Sequence, residues 1–120
     1  NLVTPGGLMD LLIAMWQRED LRPAFVSTLP IAGVDGTLRN RMKGTSAEGV
    51  LRAKTGSLAG VSSLSGYTIT VDGEELAFSM MMQHHLVRDS AVRGVQDRIG
   101  VELTSFRRKA VKAETGRRAN

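Results

Sequence analysis

Cysteine is absent from the 120-residue chain. That excludes disulfides and thiolate metal sites, and it suits a bacterial extracytoplasmic protein as well as many cytosolic ones. Aromatic residues make up 4% of the sequence, so Leu, Val, Ile and Met must fill the interior. No apolar run approaches the roughly 20 residues needed to cross a bilayer. No signal peptide is visible, and the first residue is Asn1 rather than Met, which reads as a cut point. What remains is a chain that is 42% hydrophobic, too apolar for a disordered polypeptide and long enough for one domain or part of one.

The net charge of +4 is unevenly placed. Arg107, Arg108, Lys109, Lys112, Arg117 and Arg118 crowd the last fourteen residues with Glu114 as the only anion, which leaves ten cations and eleven anions for the rest. The body is close to neutral, and residues 107–120 read as a basic, disordered tail. Such a tail attracts anionic polymers nonspecifically. Without neighbouring aromatic residues for base stacking, it does not make a nucleic-acid site.

Thr4-Pro5 is a helix start, with Thr as N-cap and Pro in the first helical position. Leu8, Leu11, Leu12, Met15 and Trp16 then keep the spacing of a buried helical stripe, which predicts a helix from about 5 to 18. A second short helix over 20–29 is expected to be interrupted by Pro23. Pro30, Gly33 and Gly36 mark an ordered loop, and Thr37 is placed to cap a short helix running to about Met42. Gly44-Thr45-Ser46 reads as a surface turn.

Three strands follow, at 50–57, 62–71 and 75–83. Asp72-Gly73 between the last two is a type I′ hairpin signal. In the third strand Leu76, Phe78, Met80 and Met82 form one face, and Ala77, Ser79 and Met81 the other. Neither is charged, so both faces should be covered. A final helix, capped by Asp89 or Ser90, carries Val92, Val95, Ile99, Leu103 and Phe106 at spacings of three and four. Arg93, Asp97, Arg98 and Glu102 supply its solvent face. The fold class is therefore α+β, an antiparallel sheet sandwiched between helices, with residues 1–106 forming part of a domain.

Lys54-Thr55-Gly56 stands at the end of the first strand. Taken alone, a tripeptide of this kind is a strand-end charge followed by a turn. K-T-G is also the third signature of penicillin-binding proteins and class A β-lactamases, beside S-x-x-K and S-D-N. Two longer stretches point the same way: Leu29-Pro-Ile-Ala-Gly-Val-Asp-Gly-Thr-Leu38 and Leu51-Arg-Ala-Lys-Thr-Gly-Ser-Leu-Ala-Gly-Val-Ser-Ser-Leu-Ser-Gly-Tyr67. With the opening Asn1-Leu-Val-Thr-Pro5, they resemble the C-terminal part of the D-Ala-D-Ala carboxypeptidases of the class C penicillin-binding group, the DacB-like peptidase S13 family. The resemblance covers residues 1 to 83 well.

That resemblance implies a β-lactamase/transpeptidase-like fold and acyl transfer on peptidoglycan stem peptides. In that chemistry a serine attacks the D-Ala-D-Ala bond, D-alanine leaves, and water hydrolyses the acyl-enzyme. It further implies endopeptidase action on crosslinks, acylation by β-lactams, a periplasmic or extracytoplasmic location, no metal or organic cofactor, and no membrane association. Lys54 would supply a fixed cation beside the nucleophile and the substrate carboxylate. Thr55 would donate a hydrogen bond to that carboxylate, Gly56 would let the substrate backbone approach, and Ser57 would offer its backbone N–H to the developing oxyanion.

The sequence departs from the family pattern at its chemical centre. None of its serines is followed three positions later by lysine, and no S-x-N occurs. The family carries both motifs upstream of the stretch resembled here. The chain is therefore expected to be inactive alone and to work with the missing N-terminal part of the same enzyme. The rival expectation is a noncatalytic remnant or interaction module that binds muropeptide or a partner chain.

Other candidates are weaker. His84-His85 are adjacent, so on a strand they point to opposite faces, and they lack further metal ligands. Met80, Met81 and Met82 read as packing residues. Asp35, a possible acid, sits before Gly36 in the setting of an Asx turn. Lys43-Gly44-Thr45-Ser46 is not a phosphate loop.

Overall fold

Thr4 opens the first helix as its sequence requires: its hydroxyl accepts the Gly7 N–H at 2.9 Å, and Pro5 follows as the first helical residue. The computed structural model of the chain describes residues 3–83 and 87–108. Its elements are α1 (Pro5–Gln17), α2 (Arg22–Ser27), a 3-10 turn (Gly36–Leu38), β1 (Arg52–Leu58), β2 (Val61–Ile69), β3 (Glu75–Gln83) and α3 (Asp89–Ser105). His84 and His85 lie outside the described residues, as does the tail from Lys109 onward.

The strands form one antiparallel sheet in the order β1-β2-β3. Neighbouring residues of β2 show how it is covered, because successive side chains point to opposite faces. Tyr67 packs with Leu12, Trp16 and Phe25 under α1 and α2, and its hydroxyl donates to the Leu12 carbonyl. Thr68 meets Thr104 of α3 on the other face, hydroxyl to hydroxyl at 2.7 Å. On that α3 face, Leu38 and Leu51 of the long loop join Ala53, Leu64 and Phe78 as the main core. Each fully buried leucine contributes roughly 2 kcal/mol. The helix–sheet–helix sandwich is thus present.

Several local expectations are corrected. Pro23 sits in the first turn of α2, which begins at Arg22, instead of interrupting it, since a proline there costs no hydrogen bond. The helix expected from Thr37 to Met42 is only the 3-10 turn, with Asp35 as its N-cap. Neither Asp89 nor Ser90 caps α3; Arg88 occupies that position without a side-chain bond. The β2–β3 connection is not type I′. Asp72 keeps an ordinary φ while Gly73 is left-handed (φ 86), and Thr70 N–H donates to Glu74 O at 2.9 Å. Three residues rather than two form the loop, with the glycine in the left-handed last position. Cover on β3 is partial, because only Phe78 is fully buried and Ser79 to Met82 are half-buried.

The largest correction concerns α3. Its sheet-facing residues are Val92, Gln96, Gly100 and Thr104, a stripe at strict four-residue spacing that is mostly polar or small. Val95 and Ile99, expected in the core, are 49% and 37% exposed. A bulkier stripe would not fit: a Cβ on Gly100 would lie 2.9 Å from Leu51 Cδ1 and 3.2 Å from Met42 Sδ.

Candidate functional site

The outer edge of β1 is divided in two. At its start the loop 30–32 runs alongside: Ala32 N–H donates to Leu51 O at 2.8 Å, and Ala53 N–H donates to Pro30 O at 3.0 Å. These bonds fix the parity of the strand. Since Ala53 turns its N–H outward, Thr55 and Ser57, two and four residues on, do the same. Beyond residue 53 the loop no longer follows, and neither N–H meets an acceptor among the described residues. An extended chain laid along this edge would find two open donors in the Lys54-Thr55-Gly56-Ser57 segment.

Asp35 holds that loop in place. Its Oδ1 accepts the Ile31 N–H at 2.7 Å, and its own N–H reaches back to Ile31 O at 3.3 Å. This is the turn-locking role read from the sequence, not that of an acid poised over a cleft.

The side chains of the segment divide between the faces. Thr55 and Ser57 pair in register with Leu64 and Ser62 and so share the α3 face. Lys54 and Gly56 pair with Ser65 and Ser63 and share the α1 face. Lys54 is exposed, and its ammonium donates to the Thr55 carbonyl, an outward-facing acceptor of the same edge. A cation is thereby anchored at the strand edge itself. The Thr55 hydroxyl donates to Thr37 at 3.0 Å, which ties the segment to the 3-10 turn. Gly56 has a second reason to be glycine besides ligand approach: a Cβ there would lie 2.5 Å from Ser63 Oγ. The four sequence-named residues thus stand together along one edge, but Lys54 and the Thr55 hydroxyl approach it from opposite sides of the sheet.

Sequence reasoning missed the second wall. On the α3 side of β1 a cavity of about 320 Å³ is lined by Thr37, Thr55, Ser62, Arg93 and Gln96, among others. Arg41, also at this cavity, is held by Asp97: its Nε and Nη2 reach Asp97 Oδ1 at 2.9 and 2.7 Å. Its Nη2 also donates to Gln96 Oε1 at 3.2 Å. Arg93 is exposed on α3, as expected, and stands at this cavity; Gln96 carried no expectation. The one available signal was a long polar residue standing four positions after Val92 and four before Gly100. Among the described residues no cluster of His, Asp and Glu could hold a metal ion.

Comparison with known proteins extends these observations. The model of the D-Ala-D-Ala carboxypeptidase 3 (S13) family matches residues 1–105. A D-alanyl-D-alanine carboxypeptidase of Actinomadura sp. (strain R39) is 44% identical over 115 residues, covering 88% of this chain and 20% of that protein. The D-alanyl-D-alanine carboxypeptidase DacB of Haemophilus influenzae is 36% identical over 92 residues, covering 74% of this chain and 19% of that protein. The crystal structure of penicillin binding protein 4 (dacB) from H. influenzae superposes with a TM-score of 0.78 at 30% identity, over 88% of this chain and 25% of that one. A structure of the same protein complexed with a β-lactam superposes with a TM-score of 0.77. The chain spans about a fifth to a quarter of the length of these relatives.

Proposed function

Because the chain belongs to the D-Ala-D-Ala carboxypeptidase 3 (S13) family, we propose that its β1 edge forms one wall of the catalytic cleft of a serine D-Ala-D-Ala carboxypeptidase. The observation that carries this is the run of open backbone donors at Thr55 and Ser57, beginning where the loop 30–32 leaves the edge. The substrate is a peptidoglycan stem peptide ending in D-Ala-D-Ala, lying extended along the strand. Ser57 N–H polarises the scissile carbonyl and stabilises the oxyanion that forms on it. The Thr55 hydroxyl receives the terminal carboxylate. The Lys54 ammonium lowers the cost of negative charge at the edge.

The nucleophilic serine and its lysine are supplied by residues other than these 120. The serine oxygen forms an ester with the penultimate D-alanine as the terminal D-alanine leaves with the proton. Water then cleaves the ester and regenerates the serine. The same geometry serves crosslinked peptides, which gives endopeptidase action, and β-lactams, which acylate the serine. The site of work is outside the bacterial cytoplasm, where the peptide substrate is. Among the described residues no helix is long and apolar enough to cross a membrane. A noncatalytic module that only binds muropeptide or a partner chain is the second reading, favoured by the absence of any S-x-x-K in the sequence.

The test is acylation by a fluorescent β-lactam in the intact polypeptide that carries this sequence. Lys54→Ala should slow the second-order acylation rate about a hundredfold. Thr55→Val should slow it about fivefold, the worth of one neutral hydrogen bond. Lys54→Ala should leave stability within about 0.5 kcal/mol, since Lys54 is exposed, and Thr55→Val should cost about 1 kcal/mol through the lost bond to Thr37. The 120-residue chain by itself should take no label. Unchanged acylation in the Lys54 variant, or a stoichiometric adduct on a serine of the isolated chain, would overturn the reading.

A further inference from the structure

On the opposite side of the sheet, two guanidinium groups meet in a pocket of about 360 Å³ where β1 begins beside α1 and α2. Arg22 and Arg52 line it together with Trp16, Pro23, Val26 and Ser27. The fold fixes both arginines. Arg52 pairs in register with Tyr67, which packs with Trp16 and Phe25 under α1 and α2, so Arg52 turns to that same face. Arg22 opens α2 and is half-buried. Its Nη1 donates to Trp16 O at 2.9 Å, and its guanidinium lies 5.3 Å from the centre of the Trp16 ring. These two contacts hold the group in one orientation and leave its other N–H groups to be used.

No carboxylate lines the pocket. Two acids near it in the chain or in space are occupied: Asp20 accepts Arg18 through both oxygens at 3.0 and 2.8 Å, and Glu75 accepts the Trp16 indole N–H at 3.1 Å. The Ser27 hydroxyl donates to Ala24 O at 2.7 Å. Arg52 is half-buried and has no hydrogen bond or ion pair among the described residues. Two cations that share a concavity without a counter-charge repel each other and raise the local potential. The side chains of Trp16, Pro23 and Val26 offer no acceptor, so only an anion from outside offsets the charge. A carboxylate carries one negative charge and leaves half of the pair unmatched. A phosphate monoester carries nearly two at neutral pH, and its three terminal oxygens can accept from both guanidinium forks at once.

We propose that Arg22 and Arg52 form a binding site for a phosphate monoester group. Arg22, held by Trp16, sets the position of the anion, and Arg52, which has no partner to lose, supplies the second fork. Pro23 and Val26 give an apolar wall for the stem that carries the phosphate. The site does not depend on the peptidase reading. It lies where the loop 30–32 covers the strand edge, with Ala53 N–H bonded to Pro30 O at 3.0 Å, so a peptide on the open donors of Thr55 and Ser57 does not fill it. A soluble phosphate ester and a lipid headgroup share this chemistry, and the experiment separates them.

Trp16 is the single tryptophan of the chain and stands in the pocket, so its fluorescence reads the site. Titrations at constant ionic strength use inorganic phosphate, glycerol 3-phosphate and acetate, with phosphatidylcholine vesicles carrying phosphatidic acid as the lipid arm. Both phosphates should change the Trp16 emission and bind about tenfold more tightly than acetate, the worth of the second charge-assisted contact. Arg52→Ala should weaken phosphate about tenfold with the circular dichroism spectrum unchanged, and Arg52→Lys should recover part of the loss. Arg98→Ala, exposed on α3 across the sheet, should change nothing. Calorimetry on the intact polypeptide that carries this sequence repeats the wild-type and Arg52→Ala measurements. Tighter binding to the vesicles than to glycerol 3-phosphate, with the same dependence on Arg52, assigns the lipid source; equal or weaker binding assigns the soluble ester. Equal affinity for phosphate and acetate, or an Arg52→Ala variant that binds phosphate normally, would overturn the proposal. Binding to the 120-residue chain that disappears in the intact polypeptide would overturn it as well, because the rest of the protein would then supply the counter-charge.

Discussion

Replacing Gln96 by Met measures what its half-satisfied buried amide costs the fold. The two side chains are similar in length and helix propensity, so backbone and cavity shape should be kept. The substitution removes the unpartnered buried Nε2, whose burial costs roughly 1–3 kcal/mol. It also removes the Arg41–Gln96 bond at 3.2 Å, a loss of about 1 kcal/mol. Arg41 itself is not orphaned, since Asp97 remains at 2.7 Å. The balance favours the variant by about 1 kcal/mol, or about 5 °C in Tm for a domain of this size. Urea denaturation of the wild-type and variant chains gives the difference directly, with the slope expected unchanged. A variant less stable than wild type by about 1.5 kcal/mol or more would show that the amide has a structural partner and that its burial is no net cost.

Two further substitutions test the scaffold. Arg41→Ala should cost about 2–3 kcal/mol in urea denaturation, because it strands a half-buried Asp97 carboxylate and frees the Gln96 amide to turn; Arg41→Lys should recover part, and a loss under about 0.5 kcal/mol would reduce the pair to a surface contact. Gly66→Ala should cost about 4 kcal/mol or more, since a Cβ there would lie 2.0 Å from Arg52 O and 2.6 Å from Ala53 Cα, backbone atoms that yield only if β1 parts from β2; a near-wild-type denaturation midpoint would refute that geometry.

Those two sites also show where the sequence is readable and where it is not. The strands at 50–57, 62–71 and 75–83 were legible from alternation and turn residues, because in a hairpin meander the pairing partners are neighbours in the chain. Lys54-Thr55-Gly56 was legible as part of the first strand, but it was expected at the strand's end and lies in its middle, since β1 runs from Arg52 to Leu58; that β1 is an edge strand follows from the sheet order. The parity of that edge was not legible. Which N–H groups face outward depends on the bonds of Ala32 and Ala53 to a loop some twenty residues upstream, and no local pattern encodes them. Likewise Thr37 was read as a helix cap from its neighbours alone, whereas its hydroxyl receives that of Thr55, eighteen residues away.

The misreading of α3 has a single physical cause. Periodicity identifies a buried face by its apolar residues, on the premise that what faces the sheet is greasy. Here the face toward the sheet is Val92, Gln96, Gly100 and Thr104. Thr104 spends its hydroxyl on Thr68 at 2.7 Å and on Gly100 O at 2.9 Å, and Gly100 is small because Leu51 and Met42 press against it. Both are thereby accounted for within the fold. Gln96 is not: it is as deeply buried, but only its carbonyl end is satisfied. A helix selected for packing alone would place an apolar side chain of that length there and gain stability. What Gln96 does hold is Arg41, whose guanidinium also meets Asp97, so the residue joins the loop before β1 to α3 through a polar contact that an apolar side chain could not make.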